Sequence, residues 1–237
     1  MNTKPIHIGI IGGMGPQASV LLHNLIIKAC TDKLGVRECH EFPLVTHVSA
    51  PIVDFISNSK LGHKNKQLLR NAVKSLRVTP VDIAVIACNS AHLFLDEVPE
   101  LGQLPLITLP GSVVEKAQKC GAKRLGLLST SVTVKTGLYE KYAKSHELEL
   151  IVPDSASLKN ADCIIRATIA GQSGENEVVE LKKMIDELRE RGAQRVALGC
   201  TELSVIMHDR SDDNLIDALT AAEEAIIQKM REIKEGR

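Results

Sequence analysis

Two cysteines occupy the same kind of position in the two halves of this 237-residue chain. Cys88 ends the apolar run of DIAVIACNSAH, and Cys200 ends the apolar run of QRVALGCTELS. In each segment a buried strand is predicted to lead into the cysteine, and a hydroxyl or amide residue then opens a helix. Two thiols facing one point can remove a proton from a carbon atom on one side and return it on the other. The pair therefore predicts a two-base proton-transfer site.

The residues that follow each cysteine are typical of helix starts, and they are Asn89, Ser90, Thr201 and Glu202. A thiol just before a helix meets unpaired backbone N–H groups and the positive end of the helix dipole, which favour the thiolate. The same N–H groups and the hydroxyls can bind a substrate carboxylate. We therefore expect two reactive thiolates beside a carboxylate-binding site. Glu202 is expected either to tune the Cys200 thiol or to act as a solvated cap.

The other four cysteines do not share this pattern. A buried free cysteine is usually an inert small hydrophobic residue, which fits Cys30, Cys120 and Cys163 in or beside amphipathic segments. Cys39 is expected to be an exposed thiol in a polar connection. No C-x-x-C pair occurs, and no cysteine–histidine group has zinc-ligand spacing. The sequence thus predicts reduced thiols, a cytoplasmic location and no metal.

A glycine-rich turn, Gly12-Gly13-Met14-Gly15-Pro16, follows the first predicted strand. Residues 13–18 formally match G-x-G-x-x-A, the dinucleotide-binding fingerprint, which would indicate an oxidoreductase. That fingerprint also needs an acidic residue at the end of the second strand, and Asp32 falls before that strand begins. The turn is therefore interpreted either as backbone that approaches a small anion or as a tight strand–helix connection.

A third motif, STSVTVKTGLY, places hydroxyls three residues apart at Thr130, Thr133 and Thr136, with Tyr139 after them. This spacing puts the threonines on one face of a starting helix. They are either helix caps or, beside the two cysteines, candidate ligands for a carboxylate. His92 is expected to be a packing or hydrogen-bonding residue rather than a catalytic one.

Strands and helices are predicted to alternate along the chain, which indicates parallel sheets in an α/β fold. The predicted strands are 6–11, 42–48, 82–87, 104–109, 124–129, 147–152 and 195–199. The predicted helices include 16–30, 64–77, 112–119, 176–191 and a long final one that starts at residue 212.

A weak internal repeat divides the chain. The spacing from Ile10 to Cys88 is 78 positions, and the spacing from Leu127 to Cys200 is 73. We expect two similar α/β lobes with the site in the cleft between them, because ligands of open α/β sheets bind beyond the carboxyl ends of the strands. The predicted first lobe is 1–110 plus 208–237, with the C-terminal helix returning to it, and the second is 111–207.

The composition limits the possible partners. Lys plus Arg and Asp plus Glu are both 29, with no block of one sign, and there are no Trp, two Tyr and three Phe. This argues against binding to nucleic acid or to a membrane surface. The apolar run at the N-terminus is too short for a secretory signal, and no run is long enough to span a membrane.

These motifs together resemble the aspartate/glutamate racemase superfamily, on its aspartate racemase branch. The matching segments are IGIIGGMGPQAS, SAPIVD, ACNSAH, LLSTSVTVKTGLY and LGCTEL, in the family's order over residues 8–203. The resemblance implies a homodimer of two-lobed α/β chains that racemises an amino acid without pyridoxal phosphate or metal. It implies that Cys88 and Cys200 are the catalytic bases. The residues implied to hold the substrate are Asn89, Ser90, Thr130 and Thr201, with the Met14–Gly15 backbone nearby.

Two positions depart from the aspartate-specific pattern. Phe55 stands where those members usually have Arg, and Ile169 stands where they usually have Lys. A buried substrate carboxylate without either cation would be left uncompensated. We therefore expect a racemase whose preferred substrate has an uncharged or apolar side chain. Related isomerases or decarboxylases of the superfamily, and a ligand-binding protein that has lost activity, remain alternatives.

Overall fold

The computed structural model describes residues 4–53, 62–210 and 212–236. These residues form two four-stranded parallel sheets flanked by helices. The strands of the first sheet are β1 (His7–Gly12), β2 (Leu44–Ser49), β3 (Ile83–Ile86) and β4 (Leu106–Ile107). Those of the second are β5 (Arg124–Leu128), β6 (Glu149–Ile151), β7 (Arg195–Leu198) and β8 (Leu215–Asp217).

Helices fill the connections between these strands. They are α1 (Pro16–Leu34), α2 (Gly62–Leu76), α3 (Pro99–Gly102), α4 (Leu109–Lys119), α5 (Ser131–Lys135), α6 (Leu138–Lys144), α7 (Ser155–Ile169), α8 (Glu175–Glu190), α9 (Thr201–Met207) and α10 (Ala218–Glu235). Short 3₁₀ helices cover Cys39–Glu41 and Ser90–Phe94. No helix of the described residues is long and apolar enough to cross a membrane.

The two sheets have the same strand order, β2-β1-β3-β4 and β6-β5-β7-β8. In each, the first strand of the half pairs with the strand that precedes a cysteine, as Ile11 with Ile86 and Leu128 with Leu198. These central strands are rich in branched aliphatic residues and are buried, because helices cover both faces of a parallel sheet. The predicted fold class, two similar α/β lobes, is confirmed.

The lobes share one hydrophobic core. It joins Ile8 and Ile10 of β1 to Leu125 and Leu127 of β5 through Ile226 of α10 and its apolar neighbours. Burial of apolar surface is worth roughly 25 cal/mol per Å², so a core that crosses the boundary holds the two sheets in a fixed relation. The carboxyl ends of β3 and β7 are thereby kept at one place.

The C-terminal segment differs from the prediction of one long helix from residue 212. Leu215–Asp217 forms β8, an edge strand parallel to β7 in the second sheet, and α10 begins only at Ala218. The break occurs because Asp217 is extended and its Oδ1 accepts a hydrogen bond from the Thr220 N–H at 2.7 Å, which caps the helix. The expected assignment of all residues after 207 to the first lobe is therefore wrong for β8.

Helix α10 lies against both α1 and α4. Lys33 of α1 forms a 2.8 Å ion pair with the buried Glu223 of α10. The remaining predicted division of the chain into 1–110 and 111–207 stays a proposal.

The cap at Asp217 gives a testable consequence. Asp217→Ala should lower the free energy of unfolding by about 1 kcal/mol, because the first turn of α10 loses its side-chain acceptor. The exposed Asp213 lies in the same connection, and Asp213→Ala should change stability by less than about 0.5 kcal/mol. Urea denaturation followed by circular dichroism measures both variants. Equal losses would contradict a helix start at residue 218.

Candidate active site

Both cysteines line one small cavity at the carboxyl ends of the central strands. Four of its lining residues each lie two positions past a strand: Met14 after β1, Cys88 after β3, Thr130 after β5 and Cys200 after β7. The described residues that line it are Met14, Cys88, Asn89, Ser90, Thr130, Ile165, Ile169, Cys200, Thr201 and Glu202. Each lobe thus contributes one thiol to a common space.

The cavity is small. Its volume is about 20 Å³, room for roughly one water molecule. Cys88 is 7% exposed and Cys200 is 6% exposed. Binding of an amino acid in this cavity therefore requires the lining side chains or the lobes to move apart.

The Cys88 side is built on a short turn. Cys88 and Asn89 lead into the 3₁₀ helix Ser90–Phe94, and the Nδ1 atom of His92 lies 2.9 Å from the Cys88 carbonyl oxygen. The backbone N–H of Leu109 donates to His92 Nε2 at 3.4 Å, so Nε2 is an acceptor and Nδ1 holds the proton. Burial lowers the pKa of His92 to about 4, which leaves the ring neutral. His92 is thus a hydrogen-bonded support of the Cys88 turn, and it does not line the cavity.

The Cys200 side is dominated by Glu202. Cys200 is the N-cap residue of α9, and its thiol donates to Glu202 Oε2 at 3.0 Å. Burial, and next the charge of Glu202, raise the pKa of the Cys200 thiol well above its ordinary value. In the substrate-free site these two effects oppose the preference for thiolate that a helix start gives. A helix terminus contributes about 0.3–1 kcal/mol, too little to offset burial of a thiolate beside a carboxylate.

The glycine-rich turn closes the cavity over Glu202. Gly15 has φ of 109°, and a Cβ atom there would collide with the Glu202 carboxylate. Gly13 has φ of 93°, and a Cβ atom there would collide with the Ala50 backbone. The glycines are therefore needed for close approach of the turn to its neighbours, whereas Met14 between them reaches the cavity wall.

A hydroxyl cluster joins the lobes beside the cysteines. Ser90 Oγ of the first lobe lies 2.9 Å from Thr133 Oγ1 and 3.5 Å from Thr130 Oγ1 of the second. Thr130 also caps α5, because its hydroxyl accepts from the Thr133 N–H at 3.1 Å. The Asp162 carboxylate of α7 accepts from both the N–H and the hydroxyl of Ser131. Thr130 therefore caps α5 and also lines the cavity, and its role as a carboxylate ligand stays a prediction.

Asn89 is positioned from the other lobe. The Tyr139 hydroxyl donates to Asn89 Oδ1 at 2.7 Å, and both residues are buried. Within the described residues, Asn89 Nδ2 has no hydrogen-bond partner. An amide donor thus remains available in the cavity wall.

The structure brings most of the predicted site residues to this cavity. Thr133 stands behind Ser90 and Thr130, and Thr136 turns its hydroxyl to the Val132 carbonyl instead. Ile169 lines the cavity, and so does Ile165, one turn earlier on α7, which the sequence analysis missed. Helical periodicity from Ile169 was the signal that would have found it. Phe55 lies outside the described residues.

Three larger cavities have no cysteine among the described residues that line them. The largest of these three, of about 570 Å³, lies between α4 and α10 and is lined by charged, polar and aliphatic residues. The volume of a cavity therefore does not identify the candidate active site in this protein. In the part of the chain that the structure describes, no group of three or more His, Cys, Asp or Glu residues is arranged to hold a metal ion.

The protein is of the two-lobed α/β class, in which two sheets of the same strand order face a shared cavity. The family model described as Asp/Glu/Hydantoin racemase matches residues 11–226, and the chain belongs to this family. The predicted family and the class, an isomerase of the racemase type, are thereby confirmed.

Individual relatives agree with this assignment. The broad specificity amino-acid racemase RacX of Bacillus subtilis (strain 168) is 24% identical over 217 residues, which cover 89% of this chain and 92% of the relative. The structure of an aspartate racemase homologue from Pyrococcus horikoshii OT3 is 25% identical with a TM-score of 0.74, over 94% of this chain and 97% of that one. Picrophilus torridus aspartate racemase has the same fold, with a TM-score of 0.78 at 22% identity over 94% and 93% of the chains.

The contact between Cys200 and Glu202 predicts how the thiol titrates. Glu202→Gln removes the negative charge, so the pKa of Cys200 should fall. The rate of alkylation of Cys200 by iodoacetamide, followed by peptide mass spectrometry against pH, should shift to lower pH. The exposed Cys163 in the same samples is the internal control. An unchanged profile for Cys200 would mean that burial alone sets its pKa.

Proposed function

We propose that the protein is an amino-acid racemase, independent of pyridoxal phosphate and metal, that inverts the α-carbon between Cys88 and Cys200. The observation that supports this most directly is the shared cavity, to which each lobe contributes one buried thiol. Inversion needs a base on one face of the carbon and an acid on the other. Two thiols from opposing lobes meet that requirement.

The reaction is a pair of proton transfers. One cysteine, as thiolate, takes the α-proton and becomes a thiol, and the electron pair delocalises into the substrate carboxylate. The other cysteine, as thiol, gives its proton to the opposite face and becomes the thiolate. In the substrate-free site the raised pKa of Cys200 favours its thiol form, the form that the proton donor needs. The reverse reaction exchanges the two roles.

Neutral donors from both lobes would bind the substrate carboxylate. The amide of Asn89 and the hydroxyls of Ser90, Thr130 and Thr201 belong to the cavity wall. Fixed donors in a dry site stabilise the charge that grows on the carboxylate as the proton leaves. Because these groups are neutral, their contribution does not depend on pH in the physiological range.

The other end of the cavity indicates an uncharged substrate side chain. Ile165 and Ile169 line it, and among the described lining residues Glu202 is the one ionisable group besides the cysteines. A carboxylate in the substrate side chain would meet these isoleucines without a cation to balance it, which is costly. The broad specificity of the Bacillus subtilis relative is in keeping with a site of this kind. Assembly as a homodimer and a cytoplasmic location complete the proposal, and both rest on the family resemblance.

The two-base scheme makes a strict prediction for the cysteines. Cys88→Ser and Cys200→Ser should each lower the racemisation rate by on the order of 10³-fold, because one face of the carbon loses its acid–base group. Each variant should still exchange the α-proton of one enantiomer in D₂O, through the remaining thiol. Polarimetry and NMR of L- and D-amino acids measure the two activities. The exposed Cys163→Ser is the control, and near-normal racemisation in either active-site variant would refute the scheme.

Substrate preference is tested by restoring the missing cation. In Ile169→Lys an ammonium group enters the apolar end of the cavity, so kcat/KM for aspartate should rise about tenfold or more relative to neutral amino acids. Val179→Lys, on the exposed face of α8, is the matched control and should leave the ratio unchanged. A wild-type enzyme that already prefers aspartate to neutral amino acids would contradict the proposed specificity.

A further inference from the structure

The two ends of the Asn89 side-chain amide have different surroundings. Asn89 is 2% exposed and lines the cavity, and its Oδ1 atom accepts the Tyr139 hydroxyl proton. Its Nδ2 atom has no partner among the described residues. Buried N–H donors without an acceptor are unfavourable in a folded protein, and a functional role in which a ligand supplies the acceptor is one reason for them to persist.

Tyr139 is held firmly for this contact. Its side chain is fully buried on α6 of the second lobe, whereas Asn89 belongs to the first. A Cβ atom at Gly199 would lie 2.5 Å from Leu127 Cδ1 and 3.2 Å from the Tyr139 hydroxyl, so the glycine leaves room for the tyrosine. Burial raises the pKa of Tyr139 well above its ordinary value, which keeps the hydroxyl protonated. The tyrosine is therefore a constant hydrogen-bond donor.

We infer that Tyr139 is a positioning residue that orients the Asn89 amide so that Nδ2 donates to the substrate carboxylate. The inference rests on the proposed function and extends it to a residue behind the cavity wall. An asparagine amide has nearly the same shape after a half-turn about its last bond. The turned amide would present Oδ1 to the carboxylate, oxygen against oxygen, and the Tyr139 hydroxyl selects against that orientation.

Removal of one hydroxyl tests the inference. Tyr139→Phe keeps the ring but lets the amide turn, so kcat/KM should fall about tenfold to a hundredfold, mainly through a higher KM. Tyr142→Phe is the matched control, because Tyr142 lies on the same helix and is absent from the cavity wall. Tyr139→Phe with wild-type kinetics would overturn the positioning role and leave the two-cysteine mechanism untouched. Absence of α-proton exchange in the wild-type enzyme would instead refute the proposed function.

A double-mutant cycle separates positioning from general support of the fold. If Tyr139 acts through Asn89, Tyr139→Phe added to Asn89→Ala should lower kcat/KM by less than about twofold further. A full additional loss in the double variant would overturn the inference.

Asn89→Asp is a second test of the inference, for use if the Tyr139→Phe variant does not fold. Tyr139 can donate to one oxygen of the new carboxylate, and the other oxygen then replaces Nδ2 and repels the substrate. KM should rise by about a hundredfold or more, and an unchanged KM would overturn the inference. In wild-type protein the side-chain amide resonance of Asn89, assigned by its loss in Asn89→Asp, should shift when a D- or L-amino acid is added. A resonance that does not move at saturating amino acid would also overturn it.

Discussion

The alignment of two strand ends is the constraint on which the site depends. Parallel strands place all their carboxyl ends at one edge of a sheet, and the chain builds two such sheets with one strand order. The shared core then holds the two edges against each other. Met14 and Thr130 correspond by position in the two halves, as Cys88 and Cys200 do, because each lies two residues past an equivalent strand. The near symmetry of the fold thus places one cysteine of each half at the cavity, as a reaction at both faces of one carbon atom requires.

The symmetry ends at the residues that follow the cysteines, and that difference sets the chemistry. Ser90 in the first half forms hydroxyl contacts with Thr130 and Thr133, whereas Glu202 in the equivalent place accepts the Cys200 thiol proton. The anionic neighbour disfavours the Cys200 thiolate. The equivalent positions after the two cysteines therefore carry different chemistry, a hydroxyl in one half and a carboxylate in the other.

Much of this could be predicted from local patterns, and what could not depends on contacts between distant residues. The buried strands, the repeat and the two cysteines follow from apolar runs and small polar caps that are visible in the sequence. Strand β8 was missed because its three residues merge with the helical pattern after them, and only pairing with β7 separates them. The raised pKa of Cys200 was missed because it depends on how Glu202 folds back under Gly15. The contact of Tyr139 with Asn89 joins residues 50 positions apart, which spacing alone does not reveal.

The small cavity links binding to movement of the groups that line it. The contacts that close it are themselves between lobes, since Ser90 meets Thr133 and Asn89 meets Tyr139. A substrate carboxylate that binds Ser90 competes with the Ser90–Thr133 hydrogen bond, whereas one that binds Asn89 Nδ2 leaves the Tyr139 contact intact. Substrate binding can therefore exchange the partner of a hydroxyl and still keep the Tyr139–Asn89 hydrogen bond. Water excluded on reclosure strengthens every hydrogen bond to the developing negative charge, so a small cavity favours the proton transfer itself.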